Sequence, residues 1–336
     1  MTGRYSRQEL FHPIGPDGQE KLSRARVLVI GAGALGAASA EMLVRAGVGS
    51  LTIADRDYVE WSNLQRQQLY TEQDVIDHMP KAAAAEKRLR LINSSVQVTG
   101  IVADVTAEKA LELAEEASLI VDATDNFETR LIMNDAAVKL GIPFLYGACV
   151  ASYGITYSVI PGKTPCLHCL LGHLPANTMT CDTAGVIDPV VQQVAAYQVT
   201  DALKLLTGHE PSGMLRSFDI WTNERSEVRA DTLKHETCPT CGKGEFPFLS
   251  AENETKAAVL CGRQTVQIRP AAEQPLELES LAAKLKKAGL NVTGNPYLVS
   301  CRAEDFKFVI FRDGRALIHG TNDINRAKTI YHRWIG

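Results

Sequence analysis

A glycine-rich segment near the N-terminus carries the clearest chemical signal in this chain. Val27–Ile30 is apolar and runs into Gly31-x-Gly33-x-x-Gly36, after which the sequence is rich in alanine. This order predicts a strand, a tight turn and a helix, and the glycines let backbone N–H groups approach a phosphate at the helix N-terminus. Asp55 ends a second apolar segment 19 residues after Gly36, where a carboxylate can accept hydrogen bonds from ribose hydroxyls. The pattern predicts a nucleotide site.

The polar residues that follow Asp55 favour ATP over NAD as the nucleotide. Asp57, Asn63, Gln65 and Arg66 come soon after it, and together they offer more phosphate-handling groups than a hydride carrier requires. An NAD-dependent oxidoreductase would share the glycine loop and Asp55, and it remains the alternative from a different class of enzyme.

Two further residues are candidates for the chemistry of a triphosphate. Asp125 follows the fourth predicted strand, at the carboxyl edge where open α/β sheets bind ligands, and a carboxylate there suits Mg²⁺. The alternative is that Asp125 only caps the helix that begins near Phe127. Lys81 follows Pro80 at the head of a helix and could reach phosphates, although a solvated surface lysine is the simpler interpretation. Asp122 lies earlier, on the fourth predicted strand itself, with its side chain directed opposite to that of Asp125, and we predict a structural role for it.

Two Cys-x-x-Cys pairs predict a structural zinc site. Cys166 and Cys169 form the first pair, and Cys238 and Cys241 form the second. Each pair can present two thiolates, and two pairs complete the tetrahedral four-sulfur shell that zinc prefers. The alternatives are a redox-active pair or buried thiols. His168 lies inside the first pair and is not needed as a ligand.

A fifth cysteine is a candidate nucleophile. Cys181 belongs to neither pair and lies in a polar, glycine-containing loop before a long helix, where a thiolate could react. Cys149, Cys261 and Cys301 are expected to be buried and inert.

Composition excludes several classes of protein. The 336 residues carry a formal net charge of −4, with the basic residues dispersed, so we expect neither a nucleic-acid nor an anionic-membrane partner. No apolar run reaches the roughly 18 residues that cross a bilayer, and the N-terminus has no signal-peptide pattern. We therefore expect a cytoplasmic protein, whose eight cysteines favour metal or thiol chemistry over disulfides.

The alternation of apolar segments predicts an α/β fold built on a doubly wound, Rossmann-like, mostly parallel sheet. An antiparallel strand is expected at 154–160, followed by a long helix between Pro189 and Gly208. The predicted strands of the parallel sheet cover 27–31, 50–55, 96–101, 119–123 and 143–149, and its predicted helices cover 34–46, 82–92, 107–115 and 127–140.

Three regions are expected along the chain: a large domain over 1–244 that includes the nucleotide and zinc sites, a linker over 245–262, and a small C-terminal α/β domain over 263–336. The last region is predicted to contain a strand near 264–268, an amphipathic helix through Leu278–Leu285, three strands between Tyr297 and His319, and a final helix. No motif indicates its role, and it does not present a rhodanese active-site loop.

Taken in order, the motifs resemble those of the ThiF/MoeB family, the bacterial relatives of ubiquitin-activating enzymes. The resemblance covers about residues 4–243. The motifs that carry it are Arg4-Tyr-x-Arg7-Gln, Gly31-Ala-Gly-Ala-Leu-Gly36, Asp55, Ser62-Asn-Leu-Gln-Arg-Gln67, Pro80-Lys81, Ala123-Thr-Asp-Asn126, the two cysteine pairs and Thr180-Cys-Asp-Thr-Ala-Gly185.

The resemblance implies a homodimeric adenylyltransferase that uses ATP and Mg²⁺ to activate the C-terminal Gly-Gly of a ubiquitin-like sulfur-carrier protein. It implies that Arg7 reaches into the partner subunit's site, with Cys181 linked to the carrier through sulfur and a persulfide donor such as a cysteine desulfurase supplying that sulfur. The remaining implied roles are the nucleotide loop for Ala34 and the glycines, ribose binding for Asp55, phosphate contacts for Asn63, Gln65, Arg66 and Lys81, and Mg²⁺ ligation for Asp125 with Asn126 beside it.

Two carriers fit this resemblance. The first choice is a ThiS-type carrier of thiazole (thiamine) biosynthesis, and the close alternative is a MoaD-type carrier of molybdopterin biosynthesis. A non-catalytic zinc-containing binding module is a further alternative, but it would leave the charged site positions without a role.

Overall fold

The structure is a computed structural model that describes residues 3–171, 181–250, 257–259, 264–270 and 275–335. Within these residues the chain forms two sheets. The strands of the first sheet are β1 (Arg26–Ile30), β2 (Ser50–Asp55), β3 (Gln97–Val102), β4 (Leu119–Asp122), β5 (Phe144–Val150), β6 (Tyr153–Val159), β7 (Met214–Asp219) and β8 (Glu224–Arg229). They lie in the order β3-β2-β1-β4-β5-β6-β7-β8.

The first sheet confirms the predicted mostly parallel sheet with an antiparallel extension. Strands β1 to β5 pair in parallel, and β6, β7 and β8 continue the sheet in antiparallel pairing. The hairpin of β7 and β8 is not among the predicted elements. Its outer strand is exposed at every position, so it lacks the apolar alternation that indicates a strand.

Helices cover both faces of this sheet. One face packs on the core that contains α3, α5 and α10, and the other on the core that contains α6 and α7. The helices of this region are α1 (Ser6–Glu9), α2 (Gly15–Arg24), α3 (Ala34–Ala46), α4 (Glu72–Ile76), α5 (Lys81–Ile92), α6 (Ala107–Ala114), α7 (Phe127–Leu140), α8 (Leu167–Leu170), α9 (Cys181–Ala184) and α10 (Asp188–Thr207).

Local signals set the ends of the long helices. Helix α10 has Pro189 in its first turn and stops at Gly208, whose φ is +94°, as proline and glycine favour at these two ends. Helices α3 and α7 span the predicted residues 34–46 and 127–140. No helix in the described ranges is long and apolar enough to span a membrane.

The second sheet is antiparallel and forms what we call the C-terminal unit, the described residues of 257–335. Its elements are β9 (Ala257–Val259), β10 (Thr265–Ile268), α11 (Leu278–Lys287), β11 (Asn291–Gly294), β12 (Leu298–Ala303), β13 (Phe306–Phe311), β14 (Ala316–His319) and α12 (Ile324–Trp334). The strand order is β11-β12-β13-β14-β10-β9. Strand β9 lies within the predicted linker and is held there by its pairing with β10. Strand β11 was not predicted.

Candidate active site

A cavity of about 510 Å³ opens at the carboxyl edge of the parallel strands. The cavity lies beside β1. From β1 the chain continues to β2 on one side and later to β4 on the other, so the strand order reverses there, and ligands of doubly wound sheets bind at such switch points. The volume lies within the range of ligand pockets. Charged and polar residues on its wall are Asp55, Arg56, Asp57, Arg66, Gln67, Lys81, Asp104, Asp125, Asn126 and Arg130.

The glycine loop has the close backbone packing that its sequence predicts. Gly31 has a φ of +96°, and a Cβ there would lie 2.4 Å from the Ala123 carbonyl oxygen. A Cβ on Gly36 would lie 1.9 Å from the Gly31 carbonyl oxygen. Helix α3 begins at Ala34 after Gly33, and Gly33 and Ala34 line the cavity. The first amides of α3 are therefore placed to bind an anion.

Asp55 connects the end of β2 to the glycine loop. Its carboxylate accepts hydrogen bonds from the Ala32 amide at 2.6 Å and from the Asp57 amide at 2.7 Å. Burial raises the pKa of Asp55, an effect that Lys81 opposes and Asp57 strengthens. The carboxylate is fixed on the cavity wall, where ribose hydroxyls could add to its hydrogen bonds.

Two of the predicted cations line the cavity. Lys81 is the first residue of α5 and only 4% exposed, with its Nζ 3.3 Å from an Asp57 carboxylate oxygen. This contact excludes the solvated surface lysine that the sequence alone favoured. Arg66 is half-buried, and its Nη1 donates to the Ser62 carbonyl at 2.8 Å.

Asn63 and Gln65 are not on the cavity wall, although both were predicted to contact phosphates. Asn63 is buried, and its Oδ1 accepts from the Glu60 amide at 3.0 Å to cap the 3₁₀ helix Trp61–Asn63. Gln65 is exposed. Gln67 lines the cavity instead, and its Oε1 has no hydrogen-bond partner within the described residues. Residues 63–67 form no regular helix or strand beyond the short 3₁₀ turn, so the directions of their side chains cannot be deduced from the sequence.

Asp125 does not cap α7, which removes the structural alternative for this residue. Asn126 is the cap, and its side chain accepts from the Thr129 amide at 2.8 Å. The Asp125 side chain is 74% exposed and lies 3.9 Å from Arg56. Asp122 is buried and pairs with Arg130 at 3.0 Å, as its predicted structural role requires. Asp125 therefore presents its carboxylate to the cavity, while Asn126 is occupied by the helix end.

Three charged residues of the wall were not predicted. Arg56 and Asp104 follow β2 and β3, and Arg130 lies one turn into α7. Arg56 and Arg130 are ion-paired with Asp104 and Asp122. Arg56 could have been found from its position in the sequence, because it directly follows Asp55 at the sheet edge where ligands bind.

Arg7 lies far from the cavity within the same chain. It is exposed on α1, whose neighbour Gln8 donates to the Ala46 carbonyl at 2.9 Å. Ala46 ends α3, whereas the glycine loop precedes Ala34, the start of the same 13-residue helix. The two ends are about 20 Å apart at 1.5 Å per residue.

The two cysteine pairs meet in one cluster. The Sγ atoms of the four cysteines lie within 4.8 Å of one another, with Cys166 and Cys238 at 3.7 Å and Cys169 and Cys241 at 3.4 Å. Four sulfurs around a tetrahedral zinc at 2.3 Å would be about 3.8 Å apart. The donor set and its spacing therefore fit a metal ion.

Binding of a metal ion at the cluster would require its thiols to be deprotonated. Burial raises the pKa of the Cys169 thiol to about 11, so a cation is needed to hold it as the thiolate at neutral pH. His168 is not part of the cluster, since its Nδ1 lies 3.3 Å from the Thr240 hydroxyl. Thr240 in turn donates to Asp135 at 2.7 Å, which links the second pair to α7.

The remaining cysteines have different surroundings. Cys181 begins α9, and its side chain lies outside the described part of the chain; Cys261 is also outside it. Cys301 is buried in the C-terminal unit, where burial raises its pKa to about 11. Cys149 is only partly buried and lines the cavity, so the expected burial is found at Cys301 and not at Cys149.

The model of the ThiF family matches residues 5–240, which contain the cavity and every cysteine of the cluster except Cys241. The chain belongs to the ThiF family. It is 73% identical over the full length of both chains to the sulfur carrier protein ThiS adenylyltransferase of Bacillus subtilis.

More distant ThiF-family similarity is confined to part of the chain. A molybdopterin-synthase adenylyltransferase of Escherichia coli is 34% identical over 71% of this chain and 96% of its own. The crystal structure of E. coli MccB with ATP has a TM-score of 0.63 and 24% identity, covering 72% of this chain and 75% of that one. The structural likeness confirms the fold.

Proposed function

We propose that this ThiF-family chain adenylylates the C-terminal glycine of a ThiS-type sulfur-carrier protein, in the pathway that supplies sulfur to the thiazole of thiamine. The observation that carries the proposal is the cavity, where Arg66, Lys81 and Asp125 surround the glycine loop. The 73% identity to a protein named for ThiS supports this carrier over the MoaD type, whose activating enzyme is 34% identical. An NAD-dependent oxidoreductase would leave the three charged residues and the cysteine cluster without a role.

In the proposed reaction, a carboxylate oxygen of the carrier's last glycine attacks the α-phosphorus of ATP. The new carboxylate–phosphorus bond replaces the bond to the bridging α,β-oxygen, and pyrophosphate leaves with that oxygen and its electron pair. The attacking carboxylate is already ionised at neutral pH, so no general base is required. Repulsion between anions is the main barrier, and preorganised cations reduce it.

Within the cavity, Arg66 and Lys81 are the residues that would offset phosphate charge, and Asp55 would hold the ribose. Lys81 is already held by Asp57, so its ammonium needs little reorganisation when the triphosphate enters. The exposed carboxylate of Asp125 and the phosphate oxygens are the ligand types that Mg²⁺ prefers. When bound there, the ion would supply further neutralisation of the triphosphate.

Two features lie outside the reaction centre. The four-cysteine cluster would hold zinc as a structural ion, because four thiolates leave no open position for catalysis. Arg7 would act on the partner subunit's cavity in a homodimer, since α1 and the glycine loop lie at opposite ends of α3. ATP consumption and a requirement for reduced thiols support a cytoplasmic location.

The test is carrier-dependent exchange of labelled pyrophosphate into ATP. The full chain is assayed with a ThiS-type carrier ending in Gly-Gly, and a carrier lacking the last glycine is the negative control. Asp125→Ala and Arg66→Ala should each lower the rate by about 10²–10³, the usual loss for one preorganised charge-stabilising group. Arg45→Ala, which removes an exposed arginine at the far end of α3, should have little effect.

Two results would contradict the proposal. The first is NAD-dependent oxidation in the absence of any carrier, which would favour the oxidoreductase alternative. The second is a higher kcat/KM with a MoaD-type carrier than with a ThiS-type carrier, which would keep the reaction and change the pathway.

A further inference from the structure

The C-terminal unit lies against the nucleotide region through one face of its sheet. Residues alternate along its strands, so that Phe308 and Ile310 pack toward α11 and α12 while Val309 and Phe311 pack the other way. This second face contacts Tyr58, three residues after Asp55 in the chain, and Val102 at the end of β3. The apolar contact is therefore next to the cavity wall.

Asp104 is the point where the C-terminal unit meets the wall itself. This wall residue pairs through one carboxylate oxygen with Arg56 at 3.5 Å. Its other oxygen accepts from Arg269 Nε at 2.5 Å and from the Gln267 side-chain amide. Burial acts to raise the pKa of Asp104, but Arg56 and Arg269 hold it below its ordinary value. Two donors of the C-terminal unit thus fix the orientation of a carboxylate that faces the cavity.

The backbone of Arg56 is held from the same side. Arg315 is buried, stacks 4.0 Å above the Phe311 ring, and donates from Nη1 to the Arg56 carbonyl at 2.6 Å. The guanidinium of Arg56 lies between two carboxylates, at 3.5 Å from Asp104 and 3.9 Å from Asp125. The orientation of Asp104 therefore determines how closely the Arg56 guanidinium approaches each of these two carboxylates.

We propose that Gln267, Arg269 and Arg315 are positioning residues for the nucleotide site, which hold Arg56 through Asp104 and through its own carbonyl. Asp104, held in this orientation, pairs with the Arg56 guanidinium and limits its contact with Asp125. The Asp125 carboxylate then stays exposed to bind at the triphosphate end of ATP. The proposal rests on the proposed function. The family model ends at residue 240, so this support comes from a part of the chain beyond the family domain.

The test compares Arg269→Ala with the parent chain in the carrier-dependent exchange assay. Loss of the Nε donor frees the Asp104 carboxylate to turn, and Arg56 can then move toward Asp125. We expect the KM for ATP to rise about tenfold, with kcat and the KM for the carrier within about twofold. Arg269→Lys keeps a cation beside Asp104 and should restore part of the affinity.

The matched control is Arg333→Ala, which removes an arginine of the same unit that is paired with Glu304 on the outside of α12. It should change neither KM. Asp104→Asn is a second route to the same effect, because it keeps the shape and removes the charge that pairs with Arg56. It remains informative if Arg269→Ala does not fold, and it too should raise the KM for ATP.

The outcomes separate this proposal from the proposed function. Carrier-dependent exchange by the parent chain tests the function, whereas the variants test the positioning. An active parent with an unchanged KM for ATP in folded Arg269→Ala, or in Asp104→Asn where the former does not fold, would overturn the positioning role. Calorimetric titration with a non-hydrolysable ATP analogue, without any carrier, should show the same loss of affinity.

Discussion

The cysteine cluster and the nucleotide cavity are both assembled from distant parts of the chain, but different forces hold them. In the cluster, four thiols lie within 4.8 Å of one another. Burial raises the pKa of Cys166 and Cys169, whereas at Cys238 burial is outweighed by hydrogen bonds, which lower the pKa. In the cavity, Lys81 is already paired with Asp57 and Arg130 with Asp122. Four thiolates this close together would need a bound cation for stability, whereas charged side chains of the cavity are already paired with one another.

This difference predicts the largest effect at the cluster. Structural zinc releases roughly 10–16 kcal/mol on binding, which is comparable to the whole stability of a typical domain, about 5–15 kcal/mol. Cys238→Ser should therefore leave the region around the cluster unfolded, with little zinc retained. Elemental analysis should find about one zinc per parent chain, and urea unfolding should show the loss of stability.

The control for this change is Cys301→Ser. Cys301 is 4% exposed and Cys238 is 5% exposed, so the two substitutions bury a hydroxyl equally well. Only Cys301→Ser leaves the cluster intact. It should lower the free energy of unfolding by about 1–3 kcal/mol, with the zinc content unchanged. Equal stability loss in the two variants, or a stable parent chain that contains no metal, would contradict a structural metal site.

The proposed homodimer predicts a smaller effect, at Arg7. Arg7→Ala should lower exchange because it removes a cation from the partner's cavity, and Asp125→Ala should lower it within its own. Random mixing of the two variants should restore about one quarter of the parent's active sites, since half of the dimers are mixed and each has one complete site of two. Pyrophosphate exchange after subunit exchange measures the recovery.

The control for the mixing experiment is each variant mixed with itself under the same conditions, which should stay inactive. A mixture that also stays inactive, while size analysis shows that the subunits have exchanged, would mean that Arg7 does not act across a dimer.

The smallest effect on activation is expected at Cys181. Adenylate formation needs cations and a carboxylate, so Cys181→Ser should leave pyrophosphate exchange within about twofold of the parent, a change worth under ~0.5 kcal/mol of barrier. The same variant should lose any reducible adduct between enzyme and carrier, because that adduct requires a thiolate. Mass spectrometry after incubation with carrier, ATP and a persulfide donor measures the adduct. If the parent chain forms none, the sulfur-linked role is wrong and the MoaD-type alternative gains support.

Local patterns were sufficient for the parallel strands, for the long helices and for the motifs that are continuous in sequence, but not for the exposed hairpin of β7 and β8 or for β11. Helices α3 and α7 begin and end where the periodicity predicts, and Gly31 and Gly36 occupy positions where a side chain would collide with the backbone. The pairing of the cysteines could also be predicted, because four identical ligands in two short motifs have one obvious partner set.

The sequence alone left open which of several neighbouring polar side chains would face the cavity. Gln67 lines the cavity and Gln65 does not, and Asn126 rather than Asp125 caps α7. Both outcomes depend on backbone directions in short irregular segments, which have no periodicity to read. Lys81 was indistinguishable from a surface lysine until Asp57 was found 3.3 Å away.

The sequence by itself determined the phosphate-binding loop and the two cysteine pairs, since each is written within a few neighbouring residues, and its alternation of apolar segments indicated the parallel sheet. Only the tertiary structure decided that Arg269 and Gln267 meet Asp104, from which they are 165 and 163 residues distant, and that Arg315 reaches the carbonyl of Arg56. These contacts depend on the packing of one sheet face against Tyr58 and Val102. Packing of this kind is non-directional and proportional to buried area, so no local pattern of residues specifies which distant surface it will join.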